Sequence, residues 1–152
     1  MRHLVRNPGP SYLRLGKAGE PNFHKQVPEV APGKWLRVRE GNEQRLLLST
    51  GAGLQIAMDW ISKSEHADRA VYSLPLWSMA DKIGQAKELH SRTEVLTIED
   101  HLQDGGFGSW LLEARALDPT LDCLIRTIAL SPEVCGTVGS QATLNRLGGL
   151  YL

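Results

Sequence analysis

Cysteine, net charge and long apolar runs are all scarce in this sequence, and each scarcity removes a class of explanation. Two cysteines, Cys123 and Cys135, stand in 152 residues. They are too few for a disulfide framework and lack the paired spacing of a zinc site, so they read as two buried structural thiols in a reducing compartment. The 17 lysines and arginines are matched by 17 aspartates and glutamates. A net charge of zero takes away the whole-molecule attraction on which nucleic-acid and membrane-surface binders rely. No apolar run approaches the ~20 residues of a membrane span. The opening Met1-Arg2-His3-Leu4 lacks the apolar segment of a signal peptide. A cytoplasmic protein with neither nucleic acid nor membrane as partner is the expectation. Internal repeats and low-complexity segments are missing as well. What remains is enough chain for one domain with a substantial core.

The patterning that is present alternates strands with helices. Trp35 to Glu40, a Gly41-Asn42 turn and Arg45 to Thr50 read as a β-hairpin, and Leu46-Leu47-Leu48 suits a strand covered on both faces. Gly51-Ala52-Gly53 leads into a helix through Leu54, Ile56, Ala57, Met58 and Ile61. Arg69 to Leu74 reads as a strand, followed after Pro75 by a helix around Met79, Ile83 and Ala86. Thr93 to Ile98 is the next strand, Gly106 to Leu117 the next helix, Leu121 to Ala129 a further strand and Ser140 to Leu147 a last helix. Such alternation implies parallel pairing through right-handed crossovers. The fold class is therefore α/β, three layers α/β/α, with a mixed, mostly parallel five-stranded sheet whose first strand is antiparallel. Ahead of it, Gly9 to Gly16 suits one strand with no sheet of its own, and Gly19 to Gly33 is a proline-punctuated connector.

Chemistry-bearing residues concentrate between Thr93 and Leu112. The apolar strand ends in Glu99, Asp100 and His101, and Gly105-Gly106-Phe107-Gly108-Ser109 then opens a helix. Two carboxylates and an imidazole at a strand end can tune one another for acid–base work. The plainer reading is that they hydrogen-bond loop backbone and an adjoining subunit. Free N–H groups at Gly105, Gly106 and Gly108 could hold an anion at a helix start, or the glycines could serve close packing. Ser49-Thr50-Gly51-Ala52-Gly53 has the general form of a phosphate cradle, but it matches neither dinucleotide nor P-loop spacing and reads as a tight turn. Trp60, Trp77 and Trp110 suit a core or an interface better than a base-stacking platform.

Strand, Glu99-Asp100-His101, Gly105-Gly106-Phe107-Gly108-Ser109 and helix together resemble the C-terminal domain of the transketolase family, over roughly residues 34–150. Gly9-Pro10-Ser11-Tyr12-Leu13-Arg14 is similar to the last strand of that family's preceding domain, which binds the pyrimidine end of thiamine diphosphate. The resemblance implies a tail of that domain at 1–17, an interdomain linker at 18–33 and a transketolase C-terminal-like domain at 34–152. The family's Gly-Asp-Gly…Asn magnesium-diphosphate segment and its cofactor-activating glutamate pocket do not occur here. By this resemblance the chain holds no catalytic, cofactor-binding or metal residues of its own. Thiamine diphosphate and Mg would belong to the complete enzyme, which transfers a two-carbon ketol unit between sugar phosphates. The chain would serve assembly, with missing N-terminal domains and a second copy as partners and Glu99 to Ser109 as the contact surface. Phe107 and Trp110 would then sit in an interface core. One departure stands at Leu74-Pro75-Leu76-Trp77, where many relatives read Lys-Pro-x-Asp. The competing expectations are a free-standing regulatory or small-anion-binding module at Gly105–Gly108, and a small enzyme using Glu99 to His101.

Overall fold

The computed structural model describes residues 1–16, 19–63 and 65–151. In chain order the elements are α1 (Arg2–Arg6), β1 (Leu36–Arg39), β2 (Asn42–Ser49), α2 (Gly53–Lys63), β3 (Arg69–Ser73), α3 (Gln85–Leu89), β4 (Glu94–Leu102), α4 (Phe107–Ala116), β5 (Leu124–Leu130) and α5 (Gln141–Leu147). A 3₁₀ turn, Pro132–Val134, precedes α5.

Three consecutive leucines decide which strand lies in the middle. Neighbours on a strand face opposite ways, so the complete burial of Leu46, Leu47 and Leu48 requires cover on both faces of β2 and a neighbour on each edge. β2 accordingly runs parallel to β3 on one side and to β4 on the other. β5 joins in parallel beyond β4 and β1 joins antiparallel beyond β3, giving the order β1-β3-β2-β4-β5. The mixed five-stranded sheet with an antiparallel first strand is the one expected.

The two faces carry separate cores, and the leucines divide between them. Leu47, Val71, Leu96 and Ile98 pack against Ile56, Ala57, Trp60 and Ile61 of α2. Leu46, Leu48 and Val95 face the other way, toward Leu89, Phe107, Trp110 and Leu111 of α3 and α4. The Trp60 indole N–H donates to the Leu150 carbonyl at 2.8 Å, tying the end of the chain to α2. Ser140 caps α5, its hydroxyl accepting from the Thr143 N–H at 3.2 Å.

Four expectations need correction. The hairpin does not form, because β3 lies between β1 and β2. The Glu40–Gly41 link crosses the start of β3 instead, where Asn42 N–H donates to the Asp68 carbonyl at 2.6 Å. A Cβ on Gly41 would stand 2.4 Å from the Arg69 carbonyl carbon, so only glycine fits the crossing. The half-exposed β1 suits an edge, whereas the buried second half of β2 suits a place with a neighbour on each side. The helix around Met79 and Ile83 shrinks to Gln85–Leu89, because residues 78–84 make i→i+3 turns and leave both apolar side chains exposed. Residues 11–16 have no ladder partner, so the strand expected there is irregular chain outside the sheet. Cys135 is exposed beside the 3₁₀ turn rather than buried, while Cys123 is buried, which pushes its thiol pKa up. The expected boundary at residues 17 and 18 lies outside the described residues, as does Leu152.

Candidate functional site at the carboxyl end of β4

β4 continues past Ile98 to Leu102, so Glu99, Asp100 and His101 belong to the strand and not to the loop after it. They occupy an irregularity in the pairing. Ile98 is opposite Ile128 and Leu102 opposite Leu130, so four steps along β4 span two along β5. A bulge of this kind bends the strand and re-aims its side chains. The three residues point to three different places.

Glu99 turns inward and is only 2% exposed. Its two carboxylate oxygens accept the N–H groups of Phe107 at 2.6 Å and Gly108 at 2.8 Å, the first turn of α4. This is a cap supplied from eight residues upstream: a negative group placed on the positive end of a helix dipole. Burial pushes the Glu99 carboxyl above its usual range, and the N–H groups of Gly108 and Phe107 only partly draw it back. The glycines make room for this contact. A Cβ on Gly106 would sit 2.4 Å from Glu99 Oε2, and one on Gly108 would sit 2.6 Å from Thr127 Cγ2. Gly105 has φ +69°, a left-handed turn that side-chain-bearing residues rarely adopt.

Asp100 turns the other way and meets Arg14. The guanidinium makes a forked contact with both carboxylate oxygens, at 2.8 and 2.6 Å, and reaches the Asp100 carbonyl at 3.5 Å. His101 is exposed, its Nδ1 2.8 Å from the Leu102 carbonyl. The Ser109 hydroxyl donates to the Gln103 carbonyl and closes the loop from below.

Phe107 and Trp110 lie in the chain's own core, which corrects the expectation that they form an interface. Phe107 is 1% exposed, and its ring and that of Trp110 pack around Trp77 at centroid distances of 5.5 and 5.3 Å. The surface that this segment offers to solvent is His101 and Gln103 to Gly105, with Leu102 and Ser109 half-buried. The Ser49–Gly53 stretch is a close-packed turn. Ser49 Oγ donates to the Ile98 carbonyl at 2.7 Å, and a Cβ on Gly53 would stand 2.8 Å from the same oxygen.

Two features escaped the sequence reading. One is the pairing of Arg14 with Asp100, across 86 residues of sequence. Arg14 stands in the Gly9–Arg14 motif and is the one charged residue between Asn7 and Gly16, but nothing in the spacing names the partner. The other lies at the opposite, amino end of the sheet. There Glu94 holds Arg69 at 2.5 Å, Arg126 at 3.3 Å and Arg45 at 3.4 Å beside a depression of about 510 Å³. Burial alone would raise the Glu94 carboxyl, but Arg69 and then Arg45 outweigh it and hold it below 4.5.

A thiamine diphosphate group does not fit at the start of α4. The N–H groups that would face a phosphate are already taken by Glu99, and a second anion would meet like charge. Among the described residues no group of three or more His, Cys, Asp or Glu side chains could hold a metal ion. No helix among them is long and apolar enough to cross a membrane.

An open mixed sheet between helices, with a glycine-opened helix seated on a carboxylate from its central region, defines an α/β domain of the doubly wound kind. No family model matches the chain. It is 34% identical over 107 residues to 1-deoxy-D-xylulose-5-phosphate synthase of Thermus thermophilus, covering 70% of this chain and 15% of that protein. The same synthase of Clostridium perfringens is 28% identical over 108 residues, covering 68% of this chain and 17% of that protein. The chain thus spans about a sixth of the length of these curated relatives. Among solved structures, a split-gene transketolase described as an inactive β4 tetramer superposes with a TM-score of 0.77 at 21% identity, over 99% of this chain and 48% of that one. The fold and these likenesses identify the chain as carrying a transketolase C-terminal-like domain.

Proposed function

We propose that this chain is the C-terminal assembly domain of a transketolase-like, thiamine-diphosphate-dependent enzyme of the cytoplasm. It packs against the enzyme's missing N-terminal domains and against a second copy of itself, and does no chemistry alone. In this reading residues 1–17 are the tail of the preceding domain, 18–33 the linker and 34–152 the assembly domain. The parent reaction is transfer of a two-carbon ketol unit between sugar phosphates. The observation that carries the reading is the state of the acidic pair. Both carboxylates are committed to holding polypeptide, Glu99 a helix start and Asp100 the leader segment, which suits scaffolding and leaves neither poised over a reactant. The surface proposed to meet the partner is His101 and Gln103 to Gly105, with half-buried Leu102 and Ser109 at its margin.

A free-standing anion-binding module is supported less well, because the N–H groups of Phe107 and Gly108 already have an anionic acceptor. The test is reconstitution. Mixed with a polypeptide that carries a Gly-Asp-Gly…Asn diphosphate segment, the chain is expected to form a complex with ketol-transfer activity that neither part has alone. Thiamine diphosphate with magnesium should leave the melting temperature of the isolated chain unchanged and raise that of the complex. A rise of several degrees in the isolated chain, or turnover without a partner, would overturn the reading.

A further inference from the structure

Asp100 is 8% exposed, and a carboxylate so placed needs a committed partner to offset its lost hydration. Arg14 provides one in the strongest available form, a planar fork on both oxygens with an added reach to the carbonyl. The arginine itself is half-exposed and rides on a segment outside every helix and strand. Among the described residues, Arg14 makes every hydrogen bond and ion pair that joins residues 1–16 to the rest of the chain. The same segment leaves Tyr12 89% and Leu15 72% exposed, so apolar packing does little to hold it. The socket's location is also informative. From β2 the chain crosses to β3 on one side and then returns past β2 to β4, so the order reverses between the carboxyl ends of β2 and β4. Open α/β sheets commonly receive ligands and partners at such a reversal. Adjacent on β4, Glu99 and Asp100 face opposite ways, so Glu99 holds the start of α4 while Asp100 meets Arg14.

We propose that Asp100 is an arginine socket, the docking point through which the segment Gly9–Gly16 is latched to the domain, so that one ion pair sets the direction in which the preceding polypeptide approaches. The contact stands independently of the proposed function; its use in orienting a preceding domain rests on that reading. The latch separates two roles within one dipeptide: Glu99 builds the helix, and Asp100 positions the leader.

The experiment attaches a nitroxide at residue 12 (Tyr12→Cys in a Cys135→Ser background) and reads paramagnetic broadening of the amides from His101 to Gly105. Strong broadening is expected in the parent, with loss in Arg14→Ala and in Asp100→Asn, and return in the double variant Arg14→Glu with Asp100→Arg. Arg14→Ala removes only a half-exposed side chain, so it reports even if a variant at Asp100 is destabilised. Unchanged broadening in Arg14→Ala, or no recovery in a folded charge-swapped variant, would overturn the socket. In the reconstituted complex, Asp100→Asn should weaken association with the partner polypeptide, and association equal to the parent's would overturn the orienting role. If the parent chain binds no such partner at all, the proposed function fails, and the socket is still decided by the broadening data.

Discussion

Removing the Glu99 carboxylate tests the central contact of the fold's carboxyl end. In Glu99→Ala the N–H groups of Phe107 and Gly108 lose their acceptor in a place water does not reach. Each buried donor left unpaired costs about 1–3 kcal/mol, so the pair sets a gross loss of about 2–6 kcal/mol. The burial of the charge works the other way. Because it raises the carboxyl pKa, the carboxylate is held at a cost that the variant no longer bears. A net destabilisation of about 2–3 kcal/mol is expected, which at ~2–4 °C per kcal/mol for a chain of this size lowers the melting temperature by about 4–12 °C. Glu99→Gln keeps one acceptor oxygen but sets an amide NH₂ against the other donor, so it should lose about half as much. Urea unfolding of both variants at neutral pH gives the free energies, and amide exchange at Phe107 and Gly108 gives the local effect. A Glu99→Ala protein as stable as the parent, with those two amides still protected, would refute the capping argument.

Two further outcomes follow from burial and charge. Phe107→Ala empties a site 1% exposed between Trp77 and Trp110 and should cost about 3–5 kcal/mol of folding stability; a dissociated oligomer of undiminished stability in denaturant would place the ring in an interface instead. Glu94→Gln leaves Arg69, only 3% exposed, without its counter-charge and should cost about 3–5 kcal/mol at neutral pH. Since the folded carboxyl of Glu94 is held below the usual glutamate range, its stabilisation is present above that range and is lost as the pH falls through the folded value. The variant should therefore show a flatter acid limb in pH-dependent denaturation, and an unaltered limb would contradict this.

How much of this was legible in the residues themselves differs from element to element. The alternation of strand and helix, the buried character of Leu46 to Leu48 and the glycine-opened α4 follow from local pattern, because burial on two faces and tight turns each demand particular residue types at a given place. Alternation together with the expected hairpin gave a mixed sheet with an antiparallel first strand, which is the sheet observed, although that strand lies against β3 and not β2. Adjacency in space was not legible. A four-residue strand next to a turn looks the same whether its partner is the next strand or the one after, and here β3 lies between β1 and β2. Nor did Met79 and Ile83 disclose that their helical spacing would be spent on exposed turns.

The acidic pair shows the same division most sharply. Composition and order supplied two carboxylates and a histidine at a strand end, and on that footing catalysis, anion binding and packing were all open. Strand alternation puts Glu99 on the face of Val95 and Asp100 on the opposite one, but only the tertiary structure seats the first face against the start of α4, brings Arg14 to the second and leaves His101 in solvent. Side-chain direction alternates along the strand by itself, but what each side chain meets depends on distant segments packed against its face, and no single stretch of chain contains both partners.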